Sequence, residues 1–287
     1  MNLKRALQLA HLAFAVLYFV FVTFGSWAKR GDPDKGAFSA DGGSGFGIIA
    51  VVLGALLVML AIMRIMGRTT VLPGLGVEQL TIALGTAATI IPIAFVVGWL
   101  AVFETGTGWA IAAAYFPASF IPQIGLLTLS ATTPGTSEDL PASNRRLYSI
   151  IAMLGGLGVA LFPFLEYLGD GTLSLSAFDG ASSNEFGVSG PRLGYILLIV
   201  GAVVFVAAAM RLRPQGLAEP GPNLLHSHAL FGLGLVAFLV PLATLISIVR
   251  VEARLDTGIG VWLSLLAGLV LLGVAVVENR QRNANAA

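Results

Sequence analysis

Residues 46–66 read FGIIAVVLGALLVMLAIMRIM, an apolar run whose one charge, Arg64, stands near its end. A helix crossing the hydrocarbon of a bilayer needs about 20 mostly apolar residues, because its backbone N–H and C=O groups find no water there and must bond within the helix. This run meets that demand by itself. Seven others also do, at 9–27, 80–103, 109–129, 147–167, 193–210, 229–249 and 259–277. The sequence therefore predicts an all-α membrane protein with eight transmembrane helices. Composition agrees: 56% of the 287 residues are apolar and 11% charged, where a soluble domain carries about 25% charged residues. A net charge of +1 provides no basic surface for nucleic acid. The absence of cysteine removes disulfides, thiolate metal sites and cysteine nucleophiles.

The first run follows Lys4 and Arg5, as a secretory signal would. It is longer than a signal's apolar core, and no small-x-small cleavage site falls at Phe24-Gly25-Ser26-Trp27, so it is read as a retained helix. Orientation follows from the basic residues of the short loops. With the N-terminus inside, the inner face holds Lys4, Arg5, Arg64, Arg68, Arg145, Arg146, Arg211, Arg213, Arg280 and Arg282. The outer face holds Lys29, Arg30, Lys35, Arg192, Arg250 and Arg254. The inner excess predicts both termini in the cytoplasm. Trp27, Trp99, Trp109 and Trp262 all fall near outer span ends, where amphipathic rings favour the interface.

Motifs recur in the same order in the two halves. Gly31-Asp32, Ala37-Phe38, Asp41-Gly42 and Phe46-Gly47 lead into the second span; Gly169-Asp170, Ala177-Phe178, Asp179-Gly180 and Phe186-Gly187 lead into the sixth. Those two spans close with Met63-Arg64 and Met210-Arg211. Leu84, Gly85, Ala88, Pro92 and Ala94 of the third span match Leu233, Gly234, Ala237, Pro241 and Ala243 of the seventh. Thr105-Gly106-x-Gly108 precedes the fourth span as Thr257-Gly258-x-Gly260 precedes the eighth. Four helices per repeat is an even number, so the two four-helix repeats, 1–135 and 136–287, run parallel, with a pseudo-two-fold axis along the membrane normal. The break falls in the loop holding Pro134, Gly135 and Pro141.

Ionisable residues inside spans are costly and point to function. Few are seen here. Glu166, Arg64 and His11 all lie close enough to span ends to be read as interfacial. The fourth span is the most polar, Tyr115-Phe-Pro-Ala-Ser-Phe-Ile-Pro-Gln123. Pro117 and Pro122 each remove a ladder hydrogen bond and invite a kink. Two readings follow: a kinked packing helix, or a small polar cavity lined by Tyr115, Ser119 and Gln123 together with the matched Pro92 and Pro241. His226-x-His228 has no third ligand nearby and the wrong spacing for one helix face, so it reads as an ordinary interfacial pair and no metal site is expected. Gly155-Gly156-Leu157-Gly158, with Gly54, Gly85, Gly201 and Gly234, favours close helix approach. Asp32, Asp34, Asp41, Asp170, Asp179 and Glu185 in the long outer loops fit no calcium-loop spacing. Phe38, Phe46, Phe178 and Phe186 in the same loops either fold them onto the helices or meet a partner outside.

Phe162-Pro163-Phe164-Leu165-Glu166-Tyr167 followed by Ser176-Ala177-Phe178-Asp179-Gly180 resembles a pattern in uncharacterised multi-span membrane proteins of actinobacteria, in which a Leu-Pro-Trp-like helix end precedes a Ser-Gly-Phe-Asp-like loop. Gly258-Ile259-Gly260-Val261-Trp262-Leu263 is similar to their last span. Tyr167 stands where that pattern has Trp, and the first half lacks the Pro. The resemblance implies a polytopic membrane protein and lends no catalytic residue, cofactor or substrate.

No Ser/His/Asp set, paired carboxylates or phosphate-binding glycine loop is present, so the leading expectation is not an enzyme. It is a scaffold or accessory subunit of a membrane complex, touching lipids and other subunits through helix packing and outer loops. The alternative is a transporter of a small solute or lipid with its cavity at the fourth span.

Overall fold

The computed structural model describes residues 3–29, 35–38, 44–72, 75–100, 106–132, 142–169, 174–178, 192–212, 226–251 and 256–285. Eight long helices account for most of them: α1 Leu3–Phe24, α2 Ser44–Ile65, α3 Val77–Ala94, α4 Trp109–Thr132, α5 Ala142–Leu161, α6 Gly194–Arg211, α7 His226–Val251 and α8 Ile259–Asn285. Each contains a window long and apolar enough to cross a membrane. Short strands join them: β1 Ser26–Lys29, β2 Lys35–Gly36, β3 Thr70–Leu72, β4 Leu75–Gly76, β5 Gly106–Thr107, β6 Leu168–Gly169, β7 Ser174–Leu175 and β8 Asp256–Thr257. The expected break between repeats near 135, the loop carboxylates Asp32, Asp34, Asp41, Asp170, Asp179 and Glu185, and Phe186 lie outside the described residues.

The helices of each half pack as a ring. In the first half α1 touches α2 and α4, and α3 touches the same two; in the second α5 touches α6 and α8, and α7 touches the same two. The halves meet where α7 packs on α3 and α2. Each ring is capped at one end by a three-stranded antiparallel sheet, in order β2-β1-β5 and β7-β6-β8. The opposite end carries the start of α1, the end of α8 and the β3–β4 hairpin; it is called here the termini end.

The caps fix which residues correspond. Gly108 donates its N–H to the Trp27 carbonyl at 2.9 Å, and Gly258 donates to the Tyr167 carbonyl at 3.0 Å. A Cβ at Gly108 would fall on the Ser26 carbonyl, and one at Gly258 on the Glu166 carbonyl. Only glycine permits that approach. Gly258 thus makes the same kind of bond in its cap as Gly108 does, where motif spacing pairs Gly108 with Gly260. Likewise, a Cβ at Gly47 would fall on the Ala37 carbonyl, while Gly194 donates to the Ala177 carbonyl at 2.9 Å.

Prolines leave different marks. Pro92 cannot donate to the preceding turn, and three residues later α3 passes into π-helix over Phe95–Leu100, the kind of local adjustment by which a broken ladder is repaired. By contrast α4 stays a single α-helix through Pro117 and Pro122, as α7 does through Pro241. Pro122 seats on Gly85, where a Cβ would come within 2.8 Å of the proline Cδ. The glycines act as expected for apposed membrane helices: Gly54 meets Phe19 of α1, and Gly234 meets Leu271 and Leu272 of α8.

Trp27, expected at the lipid interface, is buried instead. Its ring stacks edge-on against Phe95 at 5.0 Å and its Nε1–H donates to the Val22 carbonyl at 2.8 Å. Trp109 and Trp262 are half-exposed, as an aromatic belt requires. Phe178 folds back onto the second half, stacking on Phe164 at 4.1 Å and meeting Tyr195 edge-on.

The turn closing α2 is a Schellman motif: Arg68 N–H bonds the Met63 carbonyl and Gly67 N–H bonds the Arg64 carbonyl. Gly67 has φ +77° with open space around it. Gly67→Ala is expected to cost about 1 kcal/mol from backbone strain alone. Thermal unfolding in detergent checks this, and an unchanged midpoint would contradict it.

Candidate functional site

The expected cavity residues do not converge. Pro92 and Pro241 are buried in the bundle on α3 and α7. On α4 the inward positions are Pro117, Ala118 and Ile121, while Tyr115, Phe116, Phe120, Gln123 and Leu127 are exposed. Ser119 donates its hydroxyl to the Phe116 carbonyl of its own helix at 2.8 Å. Phe14 of α1 stacks on Phe120 at 5.4 Å and edge-on against Phe116 at 6.2 Å, continuing this outer aromatic face. The α4 polar residues therefore form an outward-facing stripe rather than the lining of a hole between helices.

The buried polar chemistry gathers at the termini end. Arg64, in the last turn of α2, is only 3% exposed. Its Nη1 donates to Nδ1 of His11, itself 0% exposed, at 3.2 Å. A guanidinium has donors only, so Nδ1 accepts and the His11 proton sits on Nε2. Nε of Arg64 lies 3.6 Å from a Glu78 oxygen on α3, and the Arg64 carbonyl accepts from Gln8 Nε2 at 3.0 Å. The second half builds a tighter pair. Arg211 of α6 grips Glu278 of α8 with both Nη atoms, at 2.6 and 3.3 Å. Beside it, His228 Nδ1 donates to Asn279 Oδ1 at 2.9 Å, and Asn279 Nδ2 donates to the Ala275 carbonyl.

These placements correct the sequence reading. His11, Arg64 and His228 do not meet water; each is buried and bonded to another helix. The side chain of His226 lies outside the described residues, while Glu166 is exposed at the capped end as expected. Glu78, Arg211, Glu278 and Asn279 were missed as site residues. Glu78 precedes the third apolar run and Glu278 follows the eighth, so hydropathy places both outside the spans. One signal was present, the matched arginines of Met63-Arg64 and Met210-Arg211. Among the described residues, no group of three His, Asp or Glu side chains could hold a metal ion.

The fold and the buried pairs together define a polytopic membrane protein of eight apolar helices. Compared with the known protein families, the curated proteins and the solved structures, the chain finds no match.

Proposed function

We propose that this chain is a parallel duplication of a four-helix unit, with both termini in the cytoplasm of a bacterial cell membrane. We propose further that it serves as a non-enzymatic scaffold or accessory subunit that receives a partner's helix on the outer face of α4. The matching helix rings, the two sheets of equal order and the Gly108/Gly258 correspondence support the duplication. The exposed Lys4, Arg5, Arg68, Arg145, Arg146 and Arg280 at the termini end support the orientation.

The outward amide of Gln123 carries the scaffold reading. It lies in the second half of α4, some fourteen residues past Trp109, about 20 Å along the axis at 1.5 Å per residue. An amide facing lipid chains lacks hydrogen-bond partners, and a neighbouring membrane helix would supply them. A cavity-based transporter would instead turn Ser119 and Gln123 inward. The expected result is that the full chain, gently solubilised, co-purifies with a membrane partner. Gln123→Leu should cut that recovery several-fold while leaving the chain's own thermal midpoint unchanged. Recovery as a lone species that still binds or moves a solute would sink the reading.

A further inference from the structure

The termini end of the first half holds three buried donors without an acceptor. They are Nε and Nη2 of Arg64 and Nε2 of His11. The two Arg64 donors share the guanidinium edge beside which Glu78 lies, while Nη1 is held by His11 at 3.2 Å, so they form one small locus at the last turn of α2. A buried donor left unbonded is costly. Because these vacancies are donors, whatever fills them must bring acceptor oxygens.

The surrounding charge narrows the choice. Residues 1–12 and 60–80 contain Lys4, Arg5, Arg64 and Arg68 against one carboxylate, Glu78. That carboxylate is held loosely. Its nearest approach to Arg64 is 3.6 Å, at Nε, and its side chain is 19% exposed. The second half provides the contrast, since Arg211 is gripped through both Nη atoms by a Glu278 side chain that is 0% exposed. Arg211 is a closed pair; Arg64 is an open one.

We propose that Arg64 and His11 form a binding site for a phosphoryl group, which enters by displacing the Glu78 carboxylate. Its oxygens accept from Nε and Nη2 of Arg64 in a bidentate pair, His11 holds the guanidinium in place through Nη1, and Lys4, Arg5 and Arg68 draw the anion to this end of the bundle. The locus lies where the apolar span of α2 ends, and a phospholipid headgroup and free phosphate share the required chemistry.

Native mass spectrometry of the full chain in a neutral maltoside detergent tests this with three probes: phosphatidylglycerol, inorganic phosphate, and diacylglycerol as the phosphate-free control. At least one phosphate-bearing probe should bind more tightly than diacylglycerol. A response to phosphatidylglycerol alone assigns the headgroup; a response to inorganic phosphate assigns the free ion. Glu78→Gln should tighten binding several-fold by weakening the internal competitor, whereas His11→Phe should weaken it by about tenfold. Opposite directions matter here, because a merely damaged fold would weaken binding in both variants. Arg211→Gln, checked for a retained fold, should leave phosphate binding unchanged. Equal binding of all three probes, or no gain in Glu78→Gln, overturns the proposal and leaves the locus as the seat of a buried water.

Discussion

Glu278→Ala is expected to destabilise the bundle by about 3–5 kcal/mol, the range seen when one partner of a buried ion pair is removed. The cause is what remains. Arg211 would keep its charge in a site from which water is excluded, with both Nη donors suddenly unpaired. Removing both charges together should behave differently. The double variant Arg211→Met, Glu278→Leu replaces the pair with apolar groups of similar length, which is often neutral or stabilising. Unfolding in mixed micelles with increasing dodecyl sulfate would measure both. A loss below about 1 kcal/mol in the single variant would show that the pair is hydrated and contributes as little as a surface bridge.

The second large effect is expected at Gly201, where α5 and α6 touch through backbone. A Cβ there would stand 2.5 Å from the Ala160 nitrogen and from the Gly156 oxygen. Gly156 faces back in the same way, 2.8 Å from the Phe205 nitrogen. No side chain can rotate aside, so the two helices must separate, and the packing lost extends along their whole contact. Gly201→Val should therefore cost about 3 kcal/mol, the upper part of the usual range for overpacking. Gly273 is the internal control: it lies in α8 with nothing within 4 Å of an added Cβ. Gly273→Ala should change stability by less than about 0.5 kcal/mol. If both variants unfold alike, the close approach of α5 and α6 does not limit stability.

Much of the architecture was legible because a membrane imposes a local requirement. A stretch such as 46–66 declares itself a span through its own residues, whatever it packs against. The glycines of the apposed faces were legible for a related reason, since backbone approach in lipid selects small residues. Spacing alone does not say which residues play the same part in the two caps. Thr257-Gly258-x-Gly260 looks like a copy of Thr105-Gly106-x-Gly108, yet it is Gly258, not Gly260, that donates to the second cap as Gly108 donates to the first. Glycine and alanine are so frequent here that a shift of a few residues leaves an equally good match on paper.

The α4 stretch shows the other limit. Its prolines and polar groups were conspicuous, but periodicity cannot say which face of a helix a neighbour covers. Packing turned Pro117 and Ile121 inward and Gln123 outward. The buried polar groups were the least legible part. Arg64 finds His11 from 53 residues away, and Arg211 finds Glu278 from 67 residues away. The sequence by itself determined the eight spans and their apolar surfaces, because bilayer solvation acts on each segment separately. Only the tertiary structure decided that Arg64, Arg211 and Glu278 at the termini end are buried partners rather than solvated ends, because pairing is a property of two distant segments brought together.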